Sequence, residues 1–334
     1  MTLRSFLLRR LAYTVLLVFM VIIVNWLIFE GIPGQNGAQA FLTSSPRLSN
    51  NPQAKARLCA LWQCNATRTD QFVSYIHNML TFQFGTSFQN GLPISTQIIQ
   101  QQRLQNTLVL LGSSTIIAII VGVALGILAS AKRGSFIDSF SVSASLSTYA
   151  LPTFWIGLLL ILVFAEGLHW FPSGGTVPAS FSVPGQAPDI VTQFFVRLQY
   201  LFLPALTLTL FTYGGFVLLT RATMIEALNE DYIVTAKAKG LSRRVILFRH
   251  AFKNASLPVI TNAALAFGGI LAGAIITETV FAWGGLGYWL FQAVLEKDFP
   301  VMQAMFYLIA LTVIAANFIA DVLYGIVDPR IRYE

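Results

Sequence analysis

The chain has 334 residues, of which 55% are apolar and only 10% charged. An ordinary soluble domain carries roughly 25% charged residues, so this composition excludes a water-soluble globular protein and points to a membrane protein. The net charge of +7 would suggest nucleic acid in a soluble chain. Here the cations sit mainly in short loops, where membrane topology explains them and no nucleic-acid partner is implied.

Met1 to Arg10 is basic, and Leu11 to Phe29 is almost wholly apolar. That run exceeds the about 7–15 residues of a signal-peptide core. Ala38-Gln39-Ala40, which resembles a cleavage site, lies well beyond its end. Residues 1–30 therefore read as an uncleaved transmembrane helix with a cytoplasmic N-terminus. Residues 31–103 form a polar extracytoplasmic region punctuated by Pro33, Pro46, Pro52 and Pro93. Within it, Gln71 to Phe84 is amphipathic and predicts a short helix on the membrane surface. Cys59 and Cys64 also lie there. Their spacing suits a local disulfide in an oxidising compartment; two unpaired thiols are the other reading. No His is close in sequence, so a metal site is not expected there.

Residues 104–324 read as a five-helix core. The second span, Leu104 to Ala131, contains the G-x-x-x-G pair Gly122 and Gly126. Such a pair lets another helix approach closely, although small residues are common in membrane helices anyway. Lys132-Arg133-Gly134-Ser135 is a tight basic turn. The third span, about Phe140 to Ala165, holds Pro152, which should kink it. Thr148, four residues back, is a candidate to satisfy the freed carbonyl. The fourth span covers about Tyr200 to Leu219, with Pro204 in its first turn, where proline is tolerated. A charged cytoplasmic loop, 221–256, leads to a fifth span at about Leu257 to Phe281. The sixth covers about Val301 to Tyr324, and 325–334 form a cytoplasmic tail. With the N-terminus inside, 14 of the 21 Lys and Arg fall in cytoplasmic segments. Five of the rest lie in the long first outer loop, which counts little in orientation. The expectation is an all-α, polytopic protein with six spans and both termini in the cytoplasm.

Nothing in the chain reads as catalytic. There is no G-x-x-x-x-G-K-[ST] phosphate loop and no H-E-x-x-H. Gly-x-Ser-x-Gly is also missing, and His77, His169 and His250 are dispersed. The chain is therefore expected to be no enzyme and to need no cofactor or metal. Glu30, Glu278 and Asp321 sit near span ends and read as interfacial carboxylates that reach water or cap a helix. An ion-coupled secondary transporter would want ionisable groups at mid-membrane. That reading ranks behind one in which energy enters through the cytoplasmic loop.

The stretch Glu226 to Pro258 carries Lys237, Lys239, Arg243, Arg244, Arg249 and Lys253 between apolar runs. It divides into two helices. Asn229 is expected to cap the first, with Glu230 and Asp231 near its positive end. Tyr232, Ala236 and Lys239 are expected to share a face. Gly240 stops the helix as a left-handed cap residue, and Ser242 caps the second. An interfacial helix pair holding anionic lipid is one reading. A protein-docking surface is favoured by the Ala-rich, Gly-terminated first helix.

The chain resembles, over its whole length, the inner-membrane permeases of ATP-binding-cassette importers, in the oligopeptide, dipeptide and nickel branch. The strongest match is Asp231-Tyr232 through Thr235-Ala236-Lys237-Ala238-Lys239-Gly240-Leu241-Ser242, followed by Arg249-His250-Ala251, Asn254 and Pro258. Supporting matches are Phe84-Gly85, Asn106-Thr107-Leu108, Lys132-Arg133-Gly134-Ser135, Pro152-Thr153-Phe154-Trp155-Ile156-Gly157 and Leu203-Pro204. Glu278-Thr279-Val280-Phe281, Trp283-Gly284-Gly285-Leu286-Gly287 and Asp328-Pro329-Arg330-Ile331-Arg332 complete the set. The name-giving Glu-Ala-Ala is replaced by Val234-Thr235-Ala236, and Gly31-Ile32-Pro33 stands where this branch often has Gly-Asp-Pro.

The resemblance implies a type I importer permease fold in the cell membrane. It implies a pore shared with a second, similar permease, two ATP-binding subunits and an extracytoplasmic binding protein. Tyr232, Thr235, Ala236, Lys237, Lys239, Gly240, Leu241 and Ser242 would contact the ATPase. Di- and oligopeptides are the expected substrates, with nickel, glutathione or oligosaccharide as alternatives.

Overall fold

A computed structural model describes residues 3–31, 52–61, 66–182 and 188–327. Cys64 and the tail motif 328–332 lie outside the described residues. Helices dominate, and among the described residues the only extended pairing is an isolated bridge between Thr86 and Pro93. The helices are α1 (Leu3–Trp26), α2 (Pro52–Leu61), α3 (Arg68–Leu80), α4 (Ile94–Gln100), α5 (Arg103–Ala131) and α6 (Phe136–Ala150). They continue with α7 (Thr153–Leu160), α8 (Ile190–Leu228), α9 (Asp231–Ala238), α10 (Phe252–Val280), α11 (Leu286–Glu296) and α12 (Phe299–Val327). A turn of helix, Arg243–Val245, and a π-helical turn, Ile246–Ala251, lead into α10 without a break.

Four helical segments are long and apolar enough to cross a bilayer: Ser5–Gly31, Arg103–Ala131, Ile190–Leu228 and Phe299–Val322. A fifth crossing is available if the pair α6 and α7 counts as one broken span. At 29 residues, α10 also has the length for a hydrocarbon core of about 30 Å.

Two expectations about proline need correction. The third span is not one kinked helix: its halves, Phe136–Ala150 and Thr153–Gly167, meet at 103°. Leu151 is extended (ψ 136°), and Pro152 becomes the cap of the next helix. Proline disfavours the helical region for the residue before it, which converts a kink into a break here. The Thr148 carbonyl is taken by the Leu151 N–H at 3.4 Å. Pro204, conversely, does not lie in a first turn. The fourth helix starts earlier, at Ile190, because Asp189 caps it, accepting from the Val191 and Thr192 N–H groups at 3.1 Å each. Pro204 is thus inside α8 and buried.

The described residues fall into two compact units. One comprises Met1–Arg10, Leu108–Trp283 and Ala316–Glu334. In it, Gly122 and Gly126 of α5 lie directly against α8. A Cβ on Gly122 would come within 2.7 Å of the Tyr213 carbonyl, and one on Gly126 within 2.8 Å of that of Val217. The glycine pair is a helix contact. Gly214 of α8 meets the Ser145 carbonyl of α6 in the same way, at 2.7 Å. Arg10 and Asp321 form an ion pair at 2.9 Å, which brings the start of α1 beside the end of α12.

The other unit comprises Leu11–Thr107 and Gly284–Ala315. Its α3 begins at a Thr67 cap and turns Gln71, Tyr75 and Met79, spaced i, i+4, i+8, inward. Phe84 packs on Tyr307, and Trp26 on Phe72. Gln303 donates to Glu30 at 3.1 Å, and its carbonyl accepts from Asn25 at 2.9 Å. Glu30 is therefore a buried, hydrogen-bonded carboxylate rather than an interfacial one. Glu278, in the first unit, is also fully buried, against the same expectation.

Candidate functional site

The charged stretch after α8 forms two helices joined by a sharp turn. Asn229 ends α8 rather than beginning α9; its N–H donates to the Glu226 carbonyl at 3.1 Å. Glu230, in extended conformation, is the N-cap residue of α9, and Asp231 occupies its first turn. Its C-terminus is a complete Schellman motif. Gly240 N–H donates to the Lys237 carbonyl at 2.9 Å, and Leu241 N–H to that of Ala236 at 3.4 Å. Gly240 has φ +71°, as this motif requires. No atom lies within 4 Å of where its Cβ would stand. The demand for glycine is conformational, not steric. Ser242 then caps the lead-in to α10, with ψ 149° and no side-chain bond.

The face that seats α9 differs from the expected one. Ile233 and Ala236, one turn apart, are buried against Met224 and Ala227 of α8 and against Ile246, Ala251 and Ala255. Ile127 of α5 closes the cluster. Tyr232 and Lys239 point outward, so they do not share the buried face with Ala236. Apolar pairs stand on more than one face of this short helix, Tyr232 with Ala236 and Val234 with Ala238 among them; the apolar cluster on α8 and the lead-in to α10 selects Ile233 and Ala236. Of the eight expected contact residues, Tyr232, Thr235, Lys237, Lys239, Gly240, Leu241 and Ser242 are exposed. Ala236 is spent on seating the helix.

Sequence reasoning missed the pair that fixes the neighbouring basic turn. Arg221 of α8 grips Asp138 of α6 with two bonds, Nε to Oδ1 at 2.5 Å and Nη2 to Oδ2 at 2.8 Å. The Gly134 N–H also donates to Asp138, at 2.9 Å. The signal was present: Ser135 and Asp138 stand at capping-box spacing ahead of an apolar run.

The dispersed motifs are partners of one another. Asn106 donates to the Gly284 carbonyl at 2.9 Å, and Thr107 Oγ1 accepts from Leu286 N–H at 2.8 Å. A Cβ on Gly157 would lie 3.1 Å from the Phe281 ring and 3.4 Å from Val280. Leu203 is fully buried in the same cluster as Phe281. Gly85 makes a positive-φ turn whose carbonyl accepts from Ile94.

The family model described as the binding-protein-dependent transport system inner membrane component matches residues 122–333. The chain belongs to this family. It is 34% identical over 332 residues to the oligopeptide transport system permease protein AppB of Bacillus subtilis, covering 98% of this chain and 99% of that protein. It is 34% identical over 344 residues to the dipeptide transport system permease protein DppB of Escherichia coli K12, covering 99% of each. With the di/tripeptide permease DppB of Pseudomonas aeruginosa the identity is 32% over 339 residues, again covering 99% of each. The chain is thus a multi-pass inner-membrane permease of an ATP-binding-cassette importer, a transport component that works with a binding protein.

Proposed function

We infer that this permease forms half of the translocation pathway for di- and oligopeptides delivered by an extracytoplasmic binding protein. A second, similar permease supplies the other half, and two ATP-binding subunits dock on the cytoplasmic side. The full-length similarity to permeases named for peptides supports the substrate class. Six spans with both termini cytoplasmic accord with the Lys and Arg distribution and with the Arg10–Asp321 pair.

The observation that carries the docking role is the mounting of α9. It is seated from below by Ile233 and Ala236 and offers Tyr232, Thr235, Lys237, Lys239, Gly240, Leu241 and Ser242 to solvent. Only Asn229 and Glu230 separate it from α8, and only four residues, Lys239–Ser242, from the helix that runs into α10. A push on α9 by a closing ATPase pair therefore moves two membrane helices at once, the rigid-body shift that alternating access needs.

Reconstitution with the partner subunits tests this. Peptide uptake that requires ATP and the binding protein is the expected result. Uptake driven by an ion gradient without ATP would overturn it. Outside the membrane, Cys59 and Cys64 are proposed to be joined. Mass mapping without reductant should find their peptides linked; two free thiols would reject the bond.

A further inference from the structure

Beside the docking helix is a recess of about 450 Å³. Its walls come from the ends of α5 and α8, from α9 and from the lead-in to α10. Arg133, Lys237 and Arg243 line it, together with Ile225, Leu228 and Leu247, and no carboxylate does. Three helix C-termini converge here, those of α5, α8 and α9, which present about one and a half negative charges between them. Three cations exceed what those ends need. Arg243 Nη2 already donates to the Ala131 carbonyl at the end of α5, and guanidinium has further N–H donors to offer. The recess is built to attract an anion.

A second hollow, about 710 Å³ and almost wholly apolar, runs along the same helices. Ile120, Ala124 and Ile127 line it from α5, and Phe248, Phe252 and Val259 from the other side. Positions 120, 124, 127 and 131 fall on one stripe of α5 by their spacing. Ala131 lines the basic recess. The apolar hollow and the cationic recess thus lie on one stripe of α5, with Ile127 packed into the core between them.

Depth agrees with this. With 29 residues, α5 is about 43 Å long. That matches a bilayer including its headgroup layers, about 40–45 Å, while the hydrocarbon alone is about 30 Å. The last turn of α5, where the basic recess sits, falls at headgroup level. Ile120 and Ala124, about 16 and 10 Å from that end, fall at acyl-chain level, and Ile127, about 6 Å from it, at the boundary.

We propose that the cationic recess and the apolar hollow together hold one anionic glycerophospholipid from the leaflet at this end of the helices. Its phosphate sits among Arg133, Lys237 and Arg243, and an acyl chain lies along Ile120, Ala124 and Leu128. The lipid would brace the underside of α9, which links membrane composition to docking.

The test uses the assembled importer, permeases with ATPase subunits, in nanodiscs of phosphatidylcholine with a minor fraction of phosphatidylglycerol. Native mass spectrometry counts the lipid retained through detergent exchange. Preferential retention of phosphatidylglycerol is expected. Arg133→Gln should weaken retention about five-fold, the worth of one cation near a membrane surface. Arg133→Lys should restore it, a rescue that separates charge from a folding defect. Equal retention of both lipids, or unchanged retention in Arg133→Gln, overturns the proposal. So does displacement of the lipid by inorganic phosphate alone, which would make the recess a free-anion site. Retention only when the ATPase subunits are absent also overturns it, since the recess would then belong to them.

Discussion

Gly240 offers a sharp test of how α9 is held. Its φ of +71° lies in the left-handed region, which costs an L-residue about 1–2 kcal/mol. A β-branched residue fares worse there, whereas Asn is tolerated. Because no atom beyond its chain neighbours lies within 4 Å of the Cβ position, Gly240→Val meets no clash at Cβ. Its cost falls on the two Schellman bonds that close α9. The rest of the chain should be untouched, so membrane insertion and assembly should remain normal. A local cost of about 1–2 kcal/mol lowers the equilibrium constant that holds α9 in its docked geometry about 5- to 30-fold. Reconstituted importer should then hydrolyse ATP with far less peptide moved per ATP. Gly240→Asn should retain most of the coupling, because it accepts the backbone conformation. Measuring ATP hydrolysis and peptide uptake in the same vesicles separates these outcomes. Wild-type coupling in Gly240→Val would refute the docking role of the turn. Equal impairment of the Val and Asn variants would refute the backbone argument and point to side-chain bulk.

Three further outcomes are expected. Gly126→Val must push α5 off α8, since its Cβ alone would stand 2.6 Å from that of Thr220. Such overpacking costs about 1–3 kcal/mol, and the purified complex should melt at lower temperature, with Gly112→Ala, where space is open, as the neutral control. Arg221→Met leaves Asp138 without its two-bond partner and should destabilise the basic turn by about 1.5–3 kcal/mol; adding Asp138→Asn should recover part of the loss, read by limited proteolysis at Lys132 and Arg133. Asp189 is held below the usual carboxylate range, first by the Thr192 hydroxyl and then by the Thr192 and Val191 N–H groups. A depressed folded-state value means that its support of α8 is complete above about pH 3.9, the unfolded value, and is lost as pH falls through the folded one. Protection of the Val191 and Thr192 amides, taken relative to the intrinsic exchange rate at each pH, should fall only in that acidic window, and Asp189→Ala should show the low protection at every pH.

Membrane class, helical content and the division of the charged stretch at Gly240 were legible because each rests on a local property: apolar run length, charge and a φ only glycine takes easily. Proline was legible as a disturbance but not in size. Pro152 makes a 103° break because Leu151 follows it into the extended region. Pro204 passes inside a continuous helix because the polar residues Gln193, Arg197 and Gln199 look like loop, while the Asp189 cap starts the helix before them. The seating face of α9 was not legible because five of its eight residues are apolar or aromatic and fall on several faces; α8 and the lead-in to α10 decide it. Glu30 and Glu278 were placed at the interface because sequence shows distance from a span end but not the neighbours that surround a side chain. Asp138 and Arg221 meet across 83 positions, a pairing that periodicity does not reveal.

The length of α8 has a mechanical consequence. Its 39 residues make a rod about 58 Å long, nearly twice the hydrocarbon thickness of about 30 Å. A rotation of one degree about one end sweeps the other through about 1 Å. Tilts too small to repack the helix interior thus become displacements large enough to open or pinch a passage for a solute. Ile233 and Ala236 fasten α9 to the end of that rod; under the proposed docking role, helix length would set the gearing, and inserting or deleting a turn in α8 would change its stroke rather than its strength.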